Sequence, residues 1–359
     1  MFLRPLKKIS FPAAAIFIGA AFSAPAHGAE APFYQGKTVT LIQGAGDPGG
    51  TADLRTKPVI QHLQKTLAGH PTFVFQYMSG GGGIAAANHL AHSAKRDGLT
   101  LGVITSSSFG QAILGAPSVR YKLEDFIFFG SPTSGGPYAL VVRPELGLDT
   151  VEKLRAAKGL RFANISVGHT MYIIGRVMSF ILGLEDPKWV VGYSSTEVGL
   201  ALERKEADAR ANSLSSILRD TPGWLKEGFT FPVIMKNTRG EGVEAVPGFP
   251  RGQPTVDKYA DTELKRAVLG FHNAVRPAGT VFVAPKGIPE PAMRELSAAF
   301  NKIWADPQFA KDYENLTKDD ASPVRGDTIE QVLRDLPKEP RIMEVYKQVT
   351  GPGPLPPGK

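Results

Sequence analysis

The sequence predicts an α/β protein of two modules, each a parallel sheet covered by helices, with a cleft between them. Three observations predict it. Short apolar runs alternate with helical patterns in a strand–loop–helix unit that recurs about every thirty residues. The 359 residues are enough for two domains of ordinary size. A second set of units begins near Tyr138.

In the first set, residues 39–42 (Val-Thr-Leu-Ile) read as a strand and 52–67 as a helix. Residues 73–75 are the next strand, 84–94 the next helix and 99–105 the third strand. In the second set the strands are 139–142, 161–163, 189–191, 207–211 and 231–235. Helices fall over 171–182, 198–204 and from 214 to 219, and another follows Asp149, which has Glu152 at the reciprocal capping position. Residues 240–254 are rich in Gly and Pro and predict a surface loop. A strand over 281–284 then precedes a long helix with Pro289 and Pro291 in its first turn, stopping near Asp306-Pro307. Asp327 caps a last helical stretch from Thr328. The segment 351–359, with four prolines and three glycines, predicts a disordered or polyproline-like tail.

The first 28 residues read as a secretory signal peptide. Arg4, Lys7 and Lys8 precede an apolar run from Phe11 to Ala24, and small residues allow cleavage near Gly28/Ala29. That run would span about 21 Å as a helix, short of the roughly 30 Å of a bilayer's hydrocarbon. The chain is therefore expected in the periplasm. It has no cysteine, which excludes thiol nucleophiles, disulfides and thiolate metal sites. The formal charge of +7 includes three charges of the leader, and no Lys/Arg-rich run accompanies it, so nucleic acid is not an expected partner. A small anion fits that balance.

Two glycine loops join strands to helices. Gly44-Ala45-Gly46-Asp47-Pro48-Gly49-Gly50-Thr51 opens onto the first helix, with Asp53 in its first turn. Ser79-Gly80-Gly81-Gly82-Gly83 opens onto the second. Both lie at the carboxyl ends of strands, where α/β sheets bind ligands, and helix N-termini favour anions. Four successive glycines cost about 0.5–1 kcal/mol each to order relative to alanine, which argues for close backbone contact. Neither loop has the Gly-Lys-Ser/Thr ending of a phosphate loop, and Pro48 breaks the dinucleotide pattern. Ser106-Ser107-Ser108 follows the third strand. In the second module Gly168-His169-Thr170, Ser194-Ser195 and Asn212 end strands in polar loops, as caps or as the facing jaw of a site. Arg143, Arg210 and Arg276 are candidate carboxylate forks. His89 and His92 read as a solvated helix face, and Asp319-Asp320 as a surface turn. No nucleophile–base pair stands out, so no catalytic residue, metal or cofactor is expected.

The order of motifs resembles a known family. Phe33-Tyr34-Gln35-Gly36-Lys37-Thr38-Val39 leads to Pro48-Gly49-Gly50-Thr51-Ala52-Asp53 and Gly81-Gly82-Gly83. Arg96-Asp97-Gly98-Leu99-Thr100-Leu101 and Val283-Ala284-Pro285-Lys286-Gly287-Ile288-Pro289 follow. Together they resemble the extracytoplasmic solute receptors of tripartite tricarboxylate transporters, the Bug receptors. The resemblance implies a type II periplasmic binding protein fold, two α/β lobes joined by two crossover strands around a ligand cleft. Lobe one would comprise 29–137 and 278–350, and lobe two 138–277.

The resemblance further implies a monomeric receptor for a di- or tricarboxylate or an aromatic carboxylate, serving integral-membrane permease subunits. It puts the ligand carboxylate on Gly49, Gly50, Thr51, Asp53, Gly81, Gly82 and Gly83, with Ser106 and the polar loops of lobe two completing the site. Two departures bear on the ligand. Asp47 stands where a small or apolar residue is usual, and would repel an anion or select an amino or hydroxyl group. His169 stands where serine is usual, and predicts binding that depends on pH near 6–7. An exported enzyme on a phosphorylated or carboxylated substrate and a ligand-binding sensor subunit are the alternatives, since fold alone does not fix function.

Overall fold

The computed structural model describes residues 1–2, 31–44, 46–336 and 339–358, so residues 3–28 of the expected leader lie outside the described residues. Two mixed sheets organise the chain from Phe33 onward. The first half contributes β1 (Thr38–Gln43), α1 (Thr51–Thr66), β2 (Thr72–Tyr77), α2 (Ile84–His92), β3 (Thr100–Thr105), α3 (Ser106–Ile113) and β4 (Phe126–Ser131). The chain then crosses to β5 (Tyr138–Val142), α4 (Val151–Ala156), β6 (Arg161–Asn164), α5 (Thr170–Leu182) and β7 (Lys188–Val191). The same half continues with α6 (Glu197–Glu203), β8 (Ala209–Ser213), α7 (Leu214–Asp220) and β9 (Thr230–Met235). Next come α8 (Glu263–Val275) and the return strand β10 (Thr280–Pro285). The chain ends with α9 (Glu290–Trp304), α10 (Pro307–Thr317), β11 (Val324–Arg325), α11 (Gly326–Arg334) and α12 (Pro340–Thr350).

The first sheet has the order β11-β4-β10-β3-β1-β2, and the second β7-β6-β8-β5-β9. Neither is all-parallel, in contrast to the expectation. β10 is antiparallel to both β3 and β4, and β5 is antiparallel to both β8 and β9. These are the strands by which the chain enters a sheet from the other half. An apolar run reads the same in either direction, so periodicity does not reveal their polarity.

Alternation fixes which face each residue covers. Leu41, Leu101 and Phe282 pack under α1, α9 and α10, where Val59, Leu296, Phe300 and Phe309 are fully buried. Their neighbours Ile42, Ile104 and Val281 face the other way. That second core continues through Phe271 and Val275 of α8 to Val177 and Ile181 of α5. A third core covers the far face of the second sheet around Val141, Ile217 and Trp224.

Several expectations change at the ends of elements. Thr150 caps α4 by accepting from the Lys153 N–H at 3.3 Å, while Asp149 pairs with Lys153 instead. The long helix does stop at Trp304, but Asp306 and Pro307 start α10, whose first free N–H, that of Gln308, meets Asp306 Oδ1 at 2.8 Å. The Pro/Gly tail, expected to be disordered, is docked. Tyr172 Oη donates to Gly351 O at 2.9 Å, buried Arg176 donates to Val349 O and to Gly353 O at 2.7 Å, and Thr262 Oγ1 donates to Gly358 O at 2.9 Å. These contacts put α12 against α5, so the chain passes between the halves a third time, between α11 and α12.

Candidate functional site

The first glycine loop is held by a buried carboxylate. Asp53 accepts from Gly49 N–H at 2.9 Å and Tyr77 Oη at 2.7 Å, and pairs with Lys57 Nζ at 2.7 Å. Burial opposes its ionisation, but the bonds from Lys57, Gly49 and Tyr77 hold the carboxyl below its ordinary range. These bonds, from the loop, from β2 and from α1 itself, make Asp53 shape the loop. Asp47 is likewise engaged, accepting from Ser79 Oγ of the second loop at 3.3 Å.

The second loop is a 3-10 turn in which Gly81, Gly82 and Gly83 all have positive φ, at 62°, 67° and 102°. Its close partner is protein. A Cβ on Gly82 would lie 2.4 Å from Gly168 O and 3.0 Å from His169 N. The Gly82 carbonyl also accepts from Thr105 Oγ1 at 3.1 Å and Ser108 Oγ at 3.0 Å. At the first loop, a Cβ on Gly50 would lie 2.9 Å from Ser195 Oγ. Gly82 therefore lets the two halves meet backbone to backbone, and Gly50 makes room for the Ser195 side chain. Gly49 is exposed and turned to Asp53, Ser194 caps α6 in reciprocal bonds with Glu197, and Asn212 accepts from Ser213 N–H at 3.0 Å.

Four of the expected site residues, Thr51, Ser106, His169 and Thr170, do come together, lining one cavity. Thr51, Ser106 and Thr170 are the first residues of α1, α3 and α5. Three helix N-termini, each carrying a partial positive charge, thus converge on it. Ser107 adds a hydroxyl 3.4 Å from Thr170 Oγ1. Arg55, Gln111, Tyr138, His272, Arg276 and Tyr346 line the same cavity. Among the described residues no Asp or Glu lines it. Arg276, named from the sequence, reaches it, whereas Arg143 is paired with Asp208 and Glu145 elsewhere.

His169 is a neutral ring. Its Nδ1 accepts from Met171 N–H at 3.3 Å, which leaves the proton on Nε2. Burial, reinforced by Arg210 and opposed by Asp47, takes its pKa down to about 4. The expected titration near pH 6–7 is thus corrected by the depth of the ring. Arg210 is buried with one long bond, Nε to Ala211 O at 3.4 Å, and burial pulls it down to about 10, so it stays charged.

Beside the cavity the halves are latched by side chains. Arg55 donates to both oxygens of Asp319 at 2.6 and 3.1 Å, and Ser215 Oγ donates to Asp319 Oδ1. Arg219 donates to Thr317 O at 2.7 Å and to Thr51 Oγ1 at 3.1 Å. Asp319 is 5% exposed, so the expected surface turn is instead an interior ion pair. Burial opposes its ionisation, and Arg55 outweighs that and holds its pKa low. His272 and Tyr346 carried no sequence signal because α8 and α12 reach the site only through the tertiary fold. Among the described residues no group of three or more His, Asp or Glu is placed to hold a metal, and no helix is long and apolar enough to cross a membrane.

No family model matches the chain. Protein BugT of Bordetella pertussis is 35% identical over 112 residues, 30% of this chain and 33% of that protein, so the match spans about one third of the curated relative's length. The periplasmic binding protein BugD aligns with a TM-score of 0.65 at 18% identity, covering 88% of this chain and 98% of that one. MatC from Rhodopseudomonas palustris, with bound malate, aligns at 0.64 and 18% identity over 87% and 99%. A second R. palustris protein, with adipate, aligns at 0.62 and 15% identity over 87% and 97%. The chain carries the fold of the Bug-type periplasmic binding proteins and, over part of its length, a sequence similar to theirs.

Proposed function

We propose that the protein is a periplasmic solute receptor that captures a small organic carboxylate between its two halves and delivers it to the integral-membrane permease subunits of a tripartite tricarboxylate-type transporter. It acts as a monomer, without metal, cofactor or catalysis. The observation that carries this reading is the cavity's charge pattern. Three helix N-termini, the hydroxyls of Thr51, Ser106, Ser107 and Thr170 among others, and Arg276 face a space that no Asp or Glu lines among the described residues. An anion there satisfies donors that water alone would otherwise meet.

The magnitudes allow it. A few charge-assisted hydrogen bonds at about 1.5–3 kcal/mol each outweigh ordering costs and leave roughly micromolar binding, near −8 kcal/mol. The malate and adipate bound by proteins of the same fold support a carboxylate as the cargo. Thermal stability of the protein against a panel of small carboxylates, phosphates and amino acids tests the reading. A ligand at 100 times its dissociation constant adds about 2.7 kcal/mol. The expected result is a shift from one carboxylate class, lost when Gly82 is replaced by a bulky residue. A shift from phosphates alone overturns it.

A further inference from the structure

One guanidinium sits where the two halves are joined. Arg276 directly follows α8, just before β10 returns the chain to the first sheet. It is 5% exposed and lines the cavity. Its Nη1 donates to Lys236 O at 2.6 Å and to Asn273 Oδ1 at 3.1 Å, and its Nη2 donates to Gly136 O at 2.6 Å. Gly136 lies on the passage from β4 to β5, and Lys236 is the first residue beyond β9. The two segments touch there, since Thr238 Oγ1 donates to Ser134 O at 2.9 Å. One side chain thus fastens both places where the chain leaves a sheet for the hinge. All three of its acceptors are uncharged. Its carbon lies 5.2 Å from the centroid of the Tyr138 ring. His272, one turn back on α8, is buried and neutral, its pKa taken down to about 3 by burial and by Arg276 itself. Burial lowers the pKa of Arg276 as well, and the groups that oppose this are Tyr138 and Tyr346, not a carboxylate. A buried cation without a counter-ion is costly, and two of its five N–H groups are left over.

We infer that Arg276 is a positioning residue that makes closure answer to the charge of the solute: a bound anion supplies the counter-ion that the fold withholds, and the guanidinium it neutralises holds both passages at the spacing of the closed cleft. This rests on the receptor reading above. A solute shifts a conformational equilibrium only by its different affinity for the two states. Here the difference is electrostatic. With the cavity empty, an opening that admits water to Arg276 relieves an uncompensated charge. With an anion beside it, the charge is already met, and opening only breaks the bonds to Gly136 O and Lys236 O. A lysine at this position keeps the charge but is a point donor, and it lacks the planar fork that reaches two carbonyls at once.

The test is hydrogen exchange at the amides of 133–136 and 236–240 in the full protein, empty and saturated with succinate, citrate or benzoate. Calorimetry sets saturation for each variant, so lost affinity does not enter the comparison. In the wild type, a solute that binds is expected to slow exchange in both segments by about five-fold or more. Arg276→Lys and Arg276→Gln are each expected to bring that ratio to within about two-fold. Affinity is expected to fall further in Arg276→Gln, which lacks the charge, than in Arg276→Lys, by about ten-fold. A merely structural arginine would speed exchange equally with and without solute when replaced, and leave the ratio intact. An intact ratio in either variant overturns the inference, as do equal affinities of the two. So does a wild type in which the solute protects one segment or neither. If Arg276→Lys does not fold, the ratio in Arg276→Gln decides. Complete loss of binding in every folded variant makes Arg276 a direct contact alone and also overturns the inference. Where none of the three acids binds, a carboxylate of the stability panel that does takes their place. Failure of all carboxylates in that panel overturns the receptor reading instead, and this inference with it.

Discussion

Gly82 and Asp319 each bring the first half of the molecule against the second, by opposite means. At Gly82 two backbones touch because no side chain stands between them, and a Cβ would lie 2.4 Å from Gly168 O. At Asp319 a buried carboxylate gathers Arg55 from its own half and Ser215 from the other, while Arg219 reaches back to Thr317 and Thr51. The first contact is one of shape. It is indifferent to salt and is broken only by adding atoms. The second is one of charge, broken by removing a group or by titration. Closure of this cleft therefore has one determinant that the medium does not reach and one that it does.

The largest effect is expected from breaking the charge contact. Asp319→Asn leaves the Arg55 guanidinium buried without its counter-ion, and unfolding by denaturant should report a loss of about 3–5 kcal/mol. A loss under 1 kcal/mol would mean that Arg55 finds solvent once freed, and that the latch is peripheral.

Acid carries charge into the shape contact. His169 follows Gly168 directly, and its folded pKa of about 4 lies below the ordinary 6.5. The unfolded chain therefore binds a proton more readily. The associated stability is complete above pH 6.5, declines as the pH falls from there, and is gone below about 4. The total is up to about 3 kcal/mol. Asp319, also depressed, adds its loss at lower pH, beginning below the ordinary carboxylate pKa and completed as the pH passes the folded value. Stability measured from pH 8 to 4 should slope below pH 6.5 in the wild type, and that slope should fall by about half in His169→Gln, because His272, also depressed, titrates over the same range. An unchanged slope would assign the effect to His272 or another group.

A matched pair of glycine variants sharpens the shape side. Gly81→Ala and Gly82→Ala both place alanine at positive φ, costing about 1–2 kcal/mol each. The Gly81 Cβ meets only Ile84 Cβ at 3.5 Å. Similar melting points with ligand affinity reduced ten-fold or more in Gly82→Ala alone would isolate closure from backbone strain. Equal affinities would refute the shape contact's role. The smallest effect is expected from Arg219→Gln, which removes hydrogen bonds to Thr317 O and Thr51 Oγ1, worth about 1 kcal/mol in total, and should weaken ligand binding a few-fold.

The parts of the site legible in the sequence were local ones. Strand–loop–helix units and their glycine loops follow from residue order, and Thr51, Ser106, His169 and Thr170 sit where the units begin their helices. What those loops touch did not follow, because Gly82 and Gly168 are 86 positions apart and meet only when both sheets exist. Four successive glycines imply close approach at the second loop, and the partner that Gly82 meets is protein backbone. Asp319 looked like a surface residue because its neighbours in sequence are polar, and its burial comes from Arg55 and Ser215. The titration of His169 was misplaced for the same reason, since a residue's depth is not written beside it. α8 and α12, which carry His272 and Tyr346, are not among the helices the sequence reading predicts.

The route of the chain has a mechanical consequence. The halves are joined at 132–137, at 236–279 and again between α11 and α12. Two connections leave a body free to twist as well as to swing. A third, set apart from the first two, turns only with a motion that all three permit. The direction in which the jaws part is thus written into the covalent path before any solute arrives, and the docked tail, held through Arg176 and Thr262, fastens the far end of α12 to the second half.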